Sequence, residues 1–197
     1  MADDADVARK IETGTLIGLN TMNPYLQGLY EPVATETTAL ELPVIGEIPK
    51  DLHGAFVRNG PNPHQAPEGM HHWFDGDGMI HAVYFENGRA EYRNRYIGTD
   101  DYRAEKAGKS IGAGGVLMPS SKSRADSTRG DLVYKDTANT DLVFHNGSLM
   151  ALWYISGKPV RVDARTLETL GNETFGGALP RHVSAHGKVD PKTGDFC

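Results

Sequence analysis

The sequence predicts an all-β fold. Three features carry this reading. Gly (23 residues) and Pro (11) are abundant in a chain of 197, the supply of turn formers that closely spaced hairpins need. Two Asn-Gly pairs, Asn87-Gly88 and Asn146-Gly147, each lie between apolar and aromatic runs. Asn-Gly is the strongest two-residue hairpin signal, because both residues accept positive φ. Prolines at 24, 32, 43 and 49 bar a long helix from the N-terminal quarter.

Taken in order, residues 1–22 read as a charged arm with a short amphipathic stretch from Val7 to Ile17, and residues 23–197 as one domain. Leu40, Leu42 and Val44 alternate with Glu41 and Pro43, the pattern of an edge strand. Gly54–Arg58 reads as a short strand, and Asn59-Gly-Pro-Asn-Pro63 as a shaped loop outside regular structure. Met79–Phe85 and Ala90–Ile97 flank the first Asn-Gly turn. Residues 98–131 are charged and rich in Gly and Ser; they read as a long loop containing a short helix at Tyr102–Lys109. Asp141–His145, Ser148–Ile155, Lys158–Val162 and Leu167–Leu170 are four short strands joined by tight turns, including Ser156-Gly157. Such a meander is one propeller blade or part of a barrel. Val162-Asp163-x-x-Thr166 recurs as Val189-Asp190-x-x-Thr193, two turns that Asp and Thr side chains can cap. The last turn, Asp190–Asp195, is followed only by Phe196 and Cys197. A hairpin without its return strand leaves backbone groups unpaired, so a truncated chain is expected.

Composition narrows the function. With 20 Lys+Arg against 26 Asp+Glu, the net charge is −6, which argues against nucleic-acid binding. The single cysteine, Cys197, excludes an internal disulfide framework and a thiolate zinc cage. The acidic start lacks the pattern of a signal peptide, and no apolar run reaches the ~20 residues of a bilayer span. A cytoplasmic location is expected, with membrane contact at most peripheral.

Eight histidines are the main candidates for chemistry: 53, 64, 71, 72, 81, 145, 182 and 186. His182 and His186 flank Val183 and follow Pro180, which favours an extended segment. Four residues then span about 13 Å, too far to chelate one metal. His53, His64, His81 and His145 read as surface or hydrogen-bonded residues. Asp75-Gly-Asp77-Gly78 starts like a calcium loop but lacks the third acidic ligand and the twelfth-position Glu; it reads as a turn held by Asp side chains. Gly112-Ala-Gly-Gly115 lacks the Lys-Ser or Lys-Thr of a phosphate loop. Composition and spacing alone thus support a β-rich domain, with a binding module among its roles.

Several blocks in order extend this reading. They are Asn23-Pro-Tyr-Leu-Gln-Gly-Leu-Tyr30, Phe56-Val-Arg-Asn-Gly-Pro-Asn-Pro63, His72-Trp-Phe-Asp-Gly-Asp-Gly-Met79, Tyr92-Arg-Asn-Arg-Tyr96, Ala138-Asn-Thr140, Ala151-Leu-Trp153 and Ser184-Ala-His-Gly-Lys-Val-Asp190. Together the sequence resembles the N-terminal part of the carotenoid cleavage oxygenases, and more closely their lignostilbene-dioxygenase-like members. The resemblance implies the first blades of a seven-bladed β-propeller. It implies a non-haem Fe(II) on the axis held by four histidines, and O2-dependent cleavage of a conjugated C=C bond in a small apolar carotenoid, apocarotenoid or stilbene. His186 falls at the first ligand position, and Thr140 at the position beside the open iron site. Tyr154 stands where many members carry a Glu that orients another ligand, and Gly187 where many have Pro. The other three ligands would lie beyond Cys197. The chain alone is therefore expected to be an inactive fragment that aggregates readily. The rival expectation is a non-catalytic propeller-like binding module or a degenerate member.

Overall fold

A computed structural model describes residues 23–67, 70–117, 134–155, 157–179 and 183–197. The expected N-terminal arm, His182, Ser156 and much of the 98–131 loop lie outside the described residues.

The chain forms two four-stranded antiparallel sheets. The first contains β1 (Thr38–Ala39), β2 (Gly54–Pro61), β3 (Gly78–Glu86) and β4 (Arg89–Tyr96), in the order β1-β4-β3-β2. The second contains β5 (Asp141–His145), β6 (Ser148–Leu152), β7 (Val160–Val162) and β8 (Thr169–Asn172), in sequential order. Both Asn-Gly turns close their hairpins as expected, with φ of 52° and 76° at Asn87-Gly88 and 47° and 78° at Asn146-Gly147.

The sheets pack face to face through alternate residues. Ile80, Ala82 and Tyr84 of β3 meet Leu149 and Ala151 of β6 and Val160 and Val162 of β7, the period-two pattern of a one-sided core. The Tyr84 hydroxyl leaves this core to donate to the Ala164 carbonyl at 2.7 Å. Strand β6 is buried on both faces. Its other side, Met150 and Leu152, packs under Ala185, Phe175 and Phe196 from the C-terminal segment. This stacking of successive four-stranded antiparallel sheets is the arrangement of adjacent propeller blades.

Strand β6 stops at Leu152, β7 starts at Val160 and β8 lies at Thr169–Asn172, past the positive φ of Leu167, against the expected Ser148–Ile155, Lys158–Val162 and Leu167–Leu170. Three further boundaries differ from expectation. The strand β2 runs on through Asn59 and Gly60 to Pro61, in register with Ile80, Met79 and Gly78. Its position at the sheet edge removes the demand for a second row of donors, so a proline is tolerated there. The other edge strand is only Thr38–Ala39, just before the alternating 40–44 run, of which Leu42 adds one hydrogen bond to Ala90 O at 2.9 Å. The helix α1 (Asp100–Lys106) begins two residues earlier than expected, because the Thr99 side chain accepts from Tyr102 N and caps it.

The end of the chain corrects the expectation of an unpaired turn. Phe196 bridges Val189, Lys188 N donates to Cys197 O at 2.8 Å, and Cys197 N donates to Lys188 O at 2.7 Å. Two residues suffice to start the return strand. The sequence echo is structural too. Asp163 Oδ1 accepts from Arg165 N and Thr166 N, and Asp190 Oδ1 accepts from Lys192 N. The matching positions Leu167 and Gly194 both have positive φ, 63° and 78°.

Asparagines lock the two sheets together. Asn59 donates to Ala138 O at 2.6 Å, and buried Asn139 donates to Phe74 O at 2.9 Å and Gly76 O at 2.6 Å. Gly78 N donates to Thr137 O at 2.8 Å, and a Cβ on Gly78 would lie 2.7 Å from that same oxygen. The Asp75–Gly78 block is therefore a joint between sheets, a role beyond the turn that its sequence suggests. Replacing Asn139 by Leu leaves two carbonyls without their donor, at about 1–3 kcal/mol each. We expect Asn139→Leu to lower unfolding free energy by about 2–6 kcal/mol, read as a drop in the urea midpoint at unchanged slope.

Candidate functional site

One candidate position, Thr140, lies at the start of β5, and the other, His186, reaches this strand through Asp141. Thr140 N donates to Leu152 O at 2.9 Å, which extends the β5–β6 ladder by one residue, and Thr140 Oγ1 donates to Asn139 Oδ1 at 3.1 Å. Thr140 is half-buried, and its hydroxyl bonds a side chain rather than the backbone. Asp141 follows, paired in register with buried Leu152.

His186 comes from the C-terminal segment. Its neighbours Ala185 and Gly187 are buried, whereas its own side chain is 72% exposed. The anchors on either side project the imidazole outward. Its Nδ1 lies 3.6 Å from Asp141 Oδ2, and Lys188 Nζ lies 3.7 Å from the same oxygen. Lys188 Nζ also donates to His186 O and Gly187 O, both at 3.2 Å. The Phe196 ring occupies the space a Cβ on residue 187 would need, which gives the Gly187 departure a packing cause. Asp141 thus joins His186 to the strand start that carries Thr140.

Exposed rings stand on a neighbouring loop. Phe74 meets Tyr154 edge-on at 5.9 Å and His72 at 4.8 Å, while Trp73 meets Tyr30 at 5.0 Å. Tyr154 is 47% exposed. It offers a phenol hydroxyl and an apolar ring face.

A separate buried ion network sits beside a cavity of about 810 Å³, lined among others by Asp77, Glu105, Lys135 and Trp153. Asp77 Oδ2 lies 2.7 Å from His64 Nδ1, and Lys135 Nζ lies 2.7 Å from both Asp77 Oδ1 and Glu105 Oε2. Burial raises the Asp77 carboxyl, but the His64 hydrogen bond and the Lys135 charge outweigh it and hold the group below the usual carboxylate range. His64, Asp77 and Glu105 could surround a cation, but the Lys135 ammonium already takes that place. Neither Thr140 nor His186 lines this cavity. Sequence reasoning missed both the network and the Asp141 contact. The acid at 141 directly after Thr140 was the available signal for the second; the first joins residues up to 71 positions apart and left none.

These features have relatives. The sequence pattern of the family described as Retinal pigment epithelial membrane protein matches residues 30–197. The chain belongs to this family, the carotenoid cleavage oxygenases. It is 35% identical to isoeugenol monooxygenase of Pseudomonas nitroreducens over 90% of the chain and 36% of that protein. The crystal structure of Pseudomonas brassicacearum lignostilbene dioxygenase superposes with a TM-score of 0.76 at 34% identity, over 89% of this chain and 36% of that one. Cobalt-substituted apocarotenoid oxygenase of Synechocystis superposes with a TM-score of 0.65 at 32% identity, over 84% and 36%. The chain therefore spans a little over a third of the length of these relatives.

Proposed function

We propose that this chain supplies the first blades of a non-haem Fe(II) dioxygenase that cleaves a conjugated C=C bond of a carotenoid, apocarotenoid or stilbene. The observation that carries the reading is His186, held at its backbone by buried neighbours and turned with Nδ1 toward a carboxylate. That is the arrangement of a metal-binding imidazole whose Nε2 is free to coordinate. The neighbours named for isoeugenol, lignostilbene and apocarotenoid chemistry support the substrate class, and the cobalt-substituted relative supports a metal.

The residues fit one ligand of a several-histidine site. His186 would hold the metal through Nε2, with Thr140 at the same end of β5 restricting an open position. Among the described residues, the group of three or more metal-ligating side chains does not include His186, so further imidazoles would come from elsewhere. Neutral imidazoles suit Fe(II) and leave positions open. When bound, the iron supplies O2 activation, and the two oxygen atoms end in two carbonyl products. The protein's own part is to bind and orient the alkene. The Phe74 and Tyr154 rings offer flat apolar contacts for such a substrate.

The test is a chimera in which residues 23–197 replace the matched third of P. brassicacearum lignostilbene dioxygenase. We expect it to bind about one iron per chain and to cleave a stilbene or an apocarotenoid. A folded chimera that binds iron but cleaves neither would defeat the substrate class. A folded one without iron would defeat the ligand assignment and favour the binding-module reading. We expect the 197-residue chain alone to purify without stoichiometric iron, checked by elemental analysis, because one imidazole competes poorly with water.

A further inference from the structure

We propose that Asp141 is the positioning residue of His186, fixing the imidazole in the tautomer that carries its proton on Nδ1. This rests on the assignment of His186 as a ligand. Imidazoles that bind metals almost always donate their other N–H to a carboxylate or carbonyl, which sets the tautomer and the ring direction. Asp141 is placed for this. Its Oδ1 accepts from Leu142 N at 2.8 Å, which fixes the carboxylate on its own strand. Its Oδ2 is then left to face His186 Nδ1 at 3.6 Å and Lys188 Nζ at 3.7 Å. The strand beneath it is rigid, because Asp141 pairs with fully buried Leu152. At 3.6 Å the pair stands in ion-pair rather than hydrogen-bond range, and a turn of the exposed imidazole would close it.

Lys188 completes the hold from the other side. Its ammonium binds the carbonyls of His186 and Gly187 while facing Asp141. Ring and backbone of His186 are thus tied to one carboxylate–ammonium pair. The sequence places no charge at Tyr154, the position where the family resemblance implies a Glu that orients a different ligand. In this chain a carboxylate on β5 carries out that kind of task for His186 instead.

The experiment is 15N magic-angle-spinning NMR of histidine-labelled chain, sedimented at about pH 8.5, where imidazoles are neutral. It reads tautomers whether or not the protein aggregates. His186→Gln identifies the signal. We expect His186 to be mainly Nδ1-protonated, and Asp141→Ala and Asp141→Asn to shift it to mainly Nε2-protonated. Asp141→Glu should restore part of the Nδ1 form, which a merely structural role would not do. A wild-type His186 that is mainly Nε2-protonated overturns the proposal. So does an Nδ1 form that survives both Asp141→Ala and Asp141→Asn. Iron retained by a His186→Ala chimera would remove the ligand assignment instead, and leaves the tautomer result standing.

Discussion

His186→Ala in the chimera is expected to remove iron and to lower stilbene or apocarotenoid cleavage by more than about a hundredfold. Outer partners of a metal ligand typically contribute 10–100-fold to affinity or activity, and deletion of the ligand itself should exceed the upper end. The local fold should survive. The His186 side chain is 72% exposed, while the burial that holds its segment belongs to Ala185, Gly187 and Phe196. The discriminating pair of measurements is therefore iron content and urea midpoint. Loss of iron at an unchanged midpoint supports a ligand. Unchanged iron and turnover would show that His186 is an ordinary exposed histidine. Thr140 is expected to behave differently, because its hydroxyl bonds Asn139 rather than standing free; Thr140→Ala should leave iron in place.

The hairpins were legible because their turns are specified locally. Asn87-Gly88 and Asn146-Gly147 need only two residues to fix the reversal, and alternation in β3 shows which face is buried. The Asp163 and Asp190 turns could be matched to each other for the same reason. Legibility failed where a distant partner decides the outcome. Pro61 sits in a strand only because β2 is at the edge and β3 pairs its inner side. Asn139 reads as a polar residue in a motif, yet its role depends on carbonyls more than sixty residues away. The Asp75–Gly78 block was readable as architecture, but its joint with Thr137 was not. At the site, residue types pointed to His186 and Thr140 through family resemblance. The carboxylate facing His186 became visible only when the fold brought Asp141 and the C-terminal segment together.

Lys135→Met is expected to cost the fold about 3 kcal/mol or more, the lower end of what breaking a buried ion pair costs. The Asp77 carboxylate is nearly fully buried, and Glu105 is largely so. Removing the ammonium leaves two carboxylates facing each other beside the cavity, with His64 Nδ1 2.7 Å from Asp77 and 3.9 Å from Glu105. That His64 contact keeps the expectation at the lower end of the range. Replacing both charges should be milder than the sum of the single changes. Asp77→Leu combined with Lys135→Met removes the stranded charge along with its partner, so the double-mutant cycle should show coupling of about 1–3 kcal/mol. Additive effects would mean that the pair is independent and the network description wrong. The acid side gives a second check. Asp77 titrates below its unfolded value, so its contribution is present above about pH 4 and is lost as pH falls through the folded value. Lys135 is held above its ordinary value despite burial, because Asp77 and Glu105 surround it, so its contribution persists through neutral pH and fades only in strong alkali. Wild-type stability should therefore fall as the pH drops below about 4, and the Asp77→Leu, Lys135→Met double variant should lose that part of the acid slope. A double variant that keeps the full slope would assign the acid sensitivity to carboxylates outside this network.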